Sequence, residues 1–102
     1  QIEVVFCNND DMAIGALQSI QAAGRTVNKD IYLVGVDALD AALNEVEQGN
    51  MTGTVLNDAK GQATKAVECM EELLGGKTYA SGEQSVYVDY VKVTPDNVKD
   101  FK

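Results

Sequence analysis

Apolar residues in the first half of this chain fall into short runs separated by segments with helical spacing. The runs Ile2–Cys7, Ile31–Val36 and Met51–Leu56 each predict a buried parallel strand. After the first two runs, apolar residues recur three or four positions apart, at Ala13, Ala16, Leu17 and Ile20 and then at Leu39, Ala42, Leu43 and Val46. Gly24 and Gly49 predict where these helices end. The pattern predicts a β-α-β-α-β unit with right-handed crossovers.

The second half of the chain predicts a long helix and a returning strand. Asp58–Leu74 has the longest helical pattern, and Gly75–Gly76 ends it. Alternating apolar residues in Val86–Tyr90 predict a strand. Thr94 and Pro95 are typical of the start of a short helix. We therefore expect an α/β fold whose parallel strands all end at one edge of the sheet.

A polar side chain that can bind hydroxyl groups follows each predicted parallel strand. Asn9 follows the first strand, Asp37 the second and Asn57 the third. Ligands of open α/β sheets bind beyond the carboxyl ends of the strands. A carboxylate accepts hydrogen bonds from two neighbouring hydroxyls, and an amide both donates and accepts. This combination suits a sugar.

Local helix capping is the alternative explanation of the same residues. Asn and Asp are favoured at helix N termini, where their side chains accept hydrogen bonds from the backbone. Either Asn9 or Asp10 could cap the first helix, and the adjacent pair Asp10 and Asp11 is explained by the helix dipole. Spacing alone leaves both explanations open.

Charge and composition limit the kinds of partner that the chain is expected to bind. The chain has 102 residues, of which 45% are hydrophobic, and its formal net charge is −8. This charge would repel phosphate backbones and anionic lipids, so we expect neither nucleic acid nor a membrane surface as a partner. No apolar stretch reaches the roughly 20 residues that span a bilayer.

Catalytic chemistry has little support in the sequence. The chain contains no histidine, which removes the commonest general base. Cys7 and Cys69 form no metal or redox motif. The segment Gly76–Thr78 resembles the end of a phosphate-binding loop, but Glu71 stands where that motif needs a glycine. We expect a protein that is not an enzyme; a small nucleotide-dependent enzyme is the alternative of a different class.

Three ordered segments carry a family resemblance: Val5–Ala16, Val34–Leu39 and Gly53–Ala59. They resemble the sugar-binding proteins of bacterial ABC transporters, in the galactose/glucose-binding branch of the ribose/galactose-binding, repressor-like superfamily. The resemblance covers essentially all of the chain but only the C-terminal third of such a protein. It implies a parallel-sheet, three-layer α/β lobe of a type I periplasmic binding protein, followed by a long helix and a returning strand.

The resemblance also implies a division of the chain between two lobes. Residues 1–57 would be part of the C-terminal sugar-binding lobe. Residues 58–87 would be a hinge crossing and a helix of the N-terminal lobe, and residues 88–102 a return crossing that closes the C-terminal lobe. Upstream sequence would then be missing from this chain.

The site residues follow from the same resemblance. It maps hydrogen bonding of the sugar onto Asn9, Asp37 and Asn57, with no cofactor required. Glu3 falls where the galactose/glucose branch completes a calcium loop, so calcium would be possible in the full-length protein. One carboxylate cannot supply the six to eight oxygen ligands of calcium, and Glu3 as an ordinary surface residue is the alternative.

The implied function is binding of a hexose, galactose or glucose, by hinge closure between two lobes. Cys7, Asp11 and Asp40 depart from the usual residues of the branch and leave the sugar open. The implied partners are a monosaccharide, an ABC permease and a chemoreceptor, and the implied location is the periplasm or a lipid anchor outside the cell. The alternative is the effector-binding domain of a sugar-responsive transcriptional repressor, which has the same two-lobe architecture.

The chain alone is expected to bind sugar weakly, because half of the pocket walls would be absent. The apolar face of its long helix, with Ala63, Val67 and Met70, would need another surface to cover it. We expect burial on its own sheet or self-association by segment exchange with a second copy.

Overall fold

A computed structural model describes residues 1–79 and 85–102 of the chain. Along the sequence the elements are β1 (Val4–Phe6), α1 (Asp10–Ala22), β2 (Tyr32–Val34), α2 (Asp40–Glu47), β3 (Thr54–Leu56), α3 (Ala59–Leu74), β4 (Val91–Val93) and a 3-10 helix (Val98–Phe101). They form two compact units: Gln1–Asn57 together with Val91–Lys102, and Asp58–Tyr90.

The strands of the first unit pair as two small sheets, where the sequence predicted a single parallel one. β1 and β2 are parallel, with Phe6 opposite Val34, and β3 and β4 are antiparallel. β2 and β3 are linked by a single parallel bridge between Val34 and Gly53, and the Gly35 N–H donates to the Gly53 carbonyl at 3.2 Å. The three parallel runs therefore lie side by side, as the β-α-β-α-β pattern predicts.

The predicted strand at Val86–Tyr90 is wrong. The returning strand is β4, Val91–Val93, which runs antiparallel to β3. Alternating apolar residues favour extended backbone, but a strand also needs a hydrogen-bonded partner, and the pairing with β3 begins only at Val91. Gly53 allows this close approach, since a Cβ there would lie 2.7 Å from the Val93 carbonyl oxygen.

The core of the first unit lies between the sheets and the helices α1 and α2. Its buried hydrophobic residues are Cys7, Ala13, Leu17, Ile20, Val27, Ile31, Leu33, Ala42, Leu43, Val46, Met51, Val93 and Val98. The helical faces predicted from spacing are confirmed by this burial, except that Ala16 is only half-buried and Leu39 precedes α2 and is exposed. Gly24 and Gly49 adopt the positive φ angles of +75° and +82° just beyond the two helices, as their sequence positions predict.

The strands β1 and β2 are buried on one face only. Leu33 is completely buried, whereas its neighbour Tyr32 and the β1 residues Val4 and Phe6 are exposed, Phe6 by 68%. Successive strand residues point to opposite faces, and α1 packs against both strands. Within the described residues of the first unit, α1 therefore covers one face of the β1–β2 pair.

The C-terminal segment forms the short helical segment predicted to end at Phe101, as a turn and a single 3-10 helix. The side chain of Asn97 accepts from the Thr94 N–H at 2.8 Å, and the 3-10 helix follows. The N-cap of this helix is Asn97, where the sequence predicted Thr94. Lys102 then forms an ion pair with Glu47 of α2, which ties the end of the chain to the first unit.

The second unit contains the predicted long helix. Asp58 caps α3, because its side chain accepts from the Gly61 N–H at 2.9 Å, and Gly75 follows the last turn. No residue of α3 is buried, and its apolar residues Val67 and Met70 are exposed. In the part of the chain that the structure describes, no helix has the length and apolar character needed to cross a membrane.

Candidate functional site

The three predicted ligand residues, Asn9, Asp37 and Asn57, follow the carboxyl ends of β1, β2 and β3. We refer to them together as the polar edge. The Asp37 N–H donates to the Val55 carbonyl at 2.8 Å, so the chain beyond β2 runs beside β3. Neighbouring strands lie about 4.8 Å apart, so the backbone places the three residues along one short edge.

Asn9 confirms the capping explanation in part. It is the N-cap of α1, and its Oδ1 accepts from the Met12 N–H at 2.9 Å. The Nδ2 group of Asn9 makes no hydrogen bond with any described residue, and the side chain is half-buried. Asn9 can therefore cap the helix through its oxygen and still donate to a ligand through its nitrogen.

Asp37 does not cap the helix that follows it. The N-cap of α2 is Leu39, which has no side-chain capping bond. Asp37 is half-buried, and no described residue donates a hydrogen bond to its carboxylate. Its backbone has a φ of +116°, a conformation that residues other than glycine rarely adopt. The carboxylate of Asp37 is thus left available for a ligand.

Asn57 is half-buried and also lies outside the helix cap, because the adjacent residue Asp58 caps α3. Capping therefore accounts for Asn9, whereas Leu39 and Asp58 hold the N-cap positions of α2 and α3.

The sequence reasoning missed the role of Asp10. We assigned this residue to the helix dipole together with Asp11, but its side chain is fully buried, with 0% exposure, while Asp11 is exposed. Its Oδ1 accepts from the Thr54 hydroxyl at 2.6 Å and its Oδ2 from the Leu39 N–H at 2.9 Å. These partners are distant in sequence, so no local pattern could have identified them.

Burial also changes the acidity of Asp10. Loss of water raises the pKa of its carboxyl above the ordinary value, and the hydrogen bonds from Thr54 and Leu39 oppose this effect. The negative charge of Asp37 raises the pKa further. The charge of Asp37 on the polar edge therefore acts on the buried Asp10 carboxyl.

Glu3 lies away from the polar edge. It precedes β1, is exposed, and its carbonyl accepts from the Tyr32 N–H at 2.8 Å. Among the described residues, no group of three His, Cys, Asp or Glu side chains could hold a metal ion. The residues that the structure describes therefore offer Glu3 no partner carboxylates for a calcium site.

Comparisons with known proteins agree with this architecture. A family model described as a periplasmic binding protein domain matches residues 1–78. The D-galactose/methyl-galactoside binding periplasmic protein of Haemophilus influenzae is 40% identical over 98% of this chain and 31% of that protein. The chain thus spans under a third of the length of that curated relative.

Solved structures show the same relationship. An ABC transporter solute binding protein from Bacillus halodurans with bound myo-inositol is 34% identical, with a TM-score of 0.79 over 99% of this chain and 33% of that one. A periplasmic solute binding protein from Actinobacillus succinogenes with bound D-allose is 30% identical, with a TM-score of 0.82 over 98% of this chain and 34% of that one.

The family resemblance inferred from the three sequence segments is confirmed by these matches. The family model covers most of the chain, and the relatives cover nearly all of it. The chain therefore belongs to the periplasmic binding protein domain family, a family of solute-binding proteins and not of enzymes.

Proposed function

We propose that this chain is the C-terminal part of a two-lobe sugar-binding protein that delivers a monosaccharide to an ABC transporter. The observation that carries the proposal is the polar edge, where no described residue donates a hydrogen bond to the Asp37 carboxylate. We propose that Asn9, Asp37 and Asn57 hydrogen-bond the sugar, with Asp37 as the charged acceptor.

The chemistry of the polar edge suits a polyhydroxylated ring. Adjacent hydroxyls can both donate to one carboxylate, and the amide of Asn9 can donate to a ring or hydroxyl oxygen. Hydrogen bonds to a charged group contribute about 1.5–3 kcal/mol each, so one carboxylate can dominate the affinity.

A hexose such as galactose or glucose is the proposed ligand. The support is the 40% identical relative, which is named for D-galactose and methyl-galactoside. Similar solved structures hold myo-inositol and D-allose, which are also ring compounds rich in hydroxyl groups. Calcium is not required for this function, and any role for Glu3 in a calcium site needs ligands from outside this chain.

The division of the chain supports a hinge. We propose that residues 1–57 and 88–102 belong to the sugar-binding lobe and residues 58–87 to the other lobe. The compact units of the structure, with boundaries after Asn57 and before Val91, support a hinge near these positions. Closing the two lobes would remove water from the sugar, and the closed form would be recognised by a permease and a chemoreceptor.

We propose that the full-length protein works in the periplasm or on a lipid anchor outside the cell. For the isolated chain, we propose self-association by segment exchange, because the apolar face of α3 with Val67 and Met70 is exposed. Light scattering tests this part directly: a concentration-dependent dimer supports it, and a monomer at every concentration contradicts it.

Calorimetric titration of the full-length protein with galactose, glucose and ribose tests the proposed function. Binding with a dissociation constant in the micromolar range or below, about −8 kcal/mol or more favourable, supports it. Absence of binding to all three sugars, for a protein shown to be folded by circular dichroism, contradicts it.

A further inference from the structure

Asp10 connects three segments that are far apart in the sequence. The carboxylate lies at the start of α1 and binds Leu39, which follows β2, and Thr54, which begins β3. Its backbone N–H also donates to the Val36 carbonyl at 2.8 Å. The residue is fully buried, so water does not compete for these bonds.

These bonds hold the segment that carries Asp37. We call residues Val36–Leu39 the Asp37 loop. The Ala38 N–H donates to the Thr54 hydroxyl oxygen at 3.3 Å, and the same hydroxyl donates to Asp10. Three N–H groups of the Asp37 loop thus donate to Thr54, to Asp10 and to the β3 backbone.

The polarity of this network requires an acceptor at position 10. Thr54 uses its lone pair for the Ala38 N–H and its hydrogen for the Asp10 carboxylate. The other carboxylate oxygen takes the Leu39 N–H. An ionised Asp accepts at both oxygens, whereas Asn would place an amide N–H against one of these donors.

The backbone of the Asp37 loop needs such support. Asp37 has a φ of +116° and Ala38 a φ of +54°, so two successive residues with side chains lie in the left-handed half of backbone space. Each residue of this kind costs about 1–3 kcal/mol unless the surroundings hold it in place. Thr54 accepts a hydrogen bond from the N–H of Ala38, which belongs to this strained pair. Asp10 accepts one from the N–H of Leu39, the residue directly after it.

We infer that Asp10, acting with Thr54, is a positioning residue that fixes the Asp37 loop so that the Asp37 carboxylate stays on the polar edge. Asp10 itself is buried and does not touch the ligand. The inference rests on the proposed function for its effect on sugar affinity, but its effect on the loop is independent of any ligand.

The test uses isosteric variants in the full-length protein and two readouts. Thr54→Val removes the side-chain hydroxyl, and Thr54→Ser keeps it. Asp10→Asn replaces one carboxylate oxygen, an acceptor, with an amide group that donates. Asp11→Asn is the matched control, because it removes the same charge from the exposed neighbour at the same helix end. Sugar affinity is measured by calorimetry, and amide hydrogen exchange of Ala38 and Leu39 is measured by NMR without sugar.

Thr54→Val and Asp10→Asn are expected to speed exchange of the Ala38 and Leu39 amides and to weaken sugar binding by about tenfold or more, or about 1.4 kcal/mol. Thr54→Ser and Asp11→Asn should retain wild-type exchange and affinity within about threefold. Core amides such as Val46 should exchange as in the wild type, which separates loop release from general loss of stability.

Unchanged exchange at Ala38 and Leu39 in Thr54→Val would overturn the inference, as would equal loss of affinity in Thr54→Ser. If Asp10→Asn fails to fold, the comparison of Thr54→Val with Thr54→Ser decides whether the inference holds. A wild-type protein that binds no sugar refutes the proposed function, but the exchange measurement still decides whether Asp10 and Thr54 hold the loop.

Discussion

The backbone N–H of Asp37 donates to the carbonyl of Val55 at 2.8 Å and joins the chain beyond β2 to β3. Asn57 follows Val55 by two positions, so this bond places the carboxylate-bearing loop and the second amide of the polar edge on neighbouring backbone segments. A site built on hydrogen-bonded strand ends is more rigid than one built on free loops.

Loss of the Asp37 carboxylate should weaken sugar binding strongly. In the full-length protein, Asp37→Ala is expected to reduce the binding free energy by at least about 2 kcal/mol, because sugar hydroxyls would lose a charged acceptor. Asp40→Ala is the control, since it removes an exposed Asp from the first turn of α2. Calorimetry that gives the same affinity for Asp37→Ala and the wild type would remove Asp37 from the site.

Two methionines in the first unit should differ strongly in how much stability the protein loses when each is replaced by alanine. Met51 is fully buried and Met12 is 56% exposed on α1. Met51→Ala should lower the free energy of unfolding by about 2–5 kcal/mol, because it leaves a cavity in the core. Met12→Ala should change it by less than about 0.5 kcal/mol. Urea unfolding measures both, and equal effects would place the core elsewhere.

Two glycines provide a similar contrast. A Cβ at Gly35 would collide with the Asp10 carboxylate and would lie 3.1 Å from the Ala13 side chain, whereas Gly15 has open space around it. Gly35→Ala should therefore destabilise the fold and release the Asp37 loop. Gly15→Ala should stabilise the protein by about 0.5–1 kcal/mol, since alanine is the better helix former. Thermal unfolding that ranks the two variants in the reverse order would contradict the packing of β2 against Asp10.

The buried Asp10 should produce a distinct pH dependence. Burial raises the pKa of its carboxyl above the ordinary value of 3.8, with Asp37 as the neighbouring charge. The folded state then holds this proton more tightly than the unfolded chain does, so this contribution to the free energy of unfolding falls as pH rises from the unfolded pKa through the folded one.

Asp10→Asn removes this contribution. The stability of the wild type relative to Asp10→Asn should therefore decline as pH rises through that window, as measured by urea unfolding at a series of pH values. Asp11→Asn controls for the loss of one negative charge. A relative stability that instead increases with pH would show that the folded state lowers the pKa of Asp10.

Local patterns predicted the elements whose residues make local contacts. The spacing in α1 and α2 identified Ala13, Leu17, Leu43 and Val46 as core residues, because one helical face must be buried. The strand ends identified the polar edge, because parallel strands that follow helices in series end on the same side. Family resemblance was needed to weigh ligand binding against capping.

Features that depend on distant partners could not be predicted. Val86–Tyr90 alternates like a strand, but pairing with β3 starts at Val91. Phe6 lies in an apolar run typical of a buried strand, yet it is 68% exposed, because α1 packs on the other face of β1. Asp10 and Asp11 are identical in type and adjacent, and only contacts with Leu39 and Thr54 distinguish them.

A crystal structure of the full-length protein with galactose or glucose bound would show directly whether the polar edge binds the sugar. We expect both carboxylate oxygens of Asp37 within about 3 Å of two adjacent sugar hydroxyls, with the amides of Asn9 and Asn57 in contact with the same molecule. A sugar bound away from this edge, or an Asp37 side chain directed away from the sugar, would contradict it.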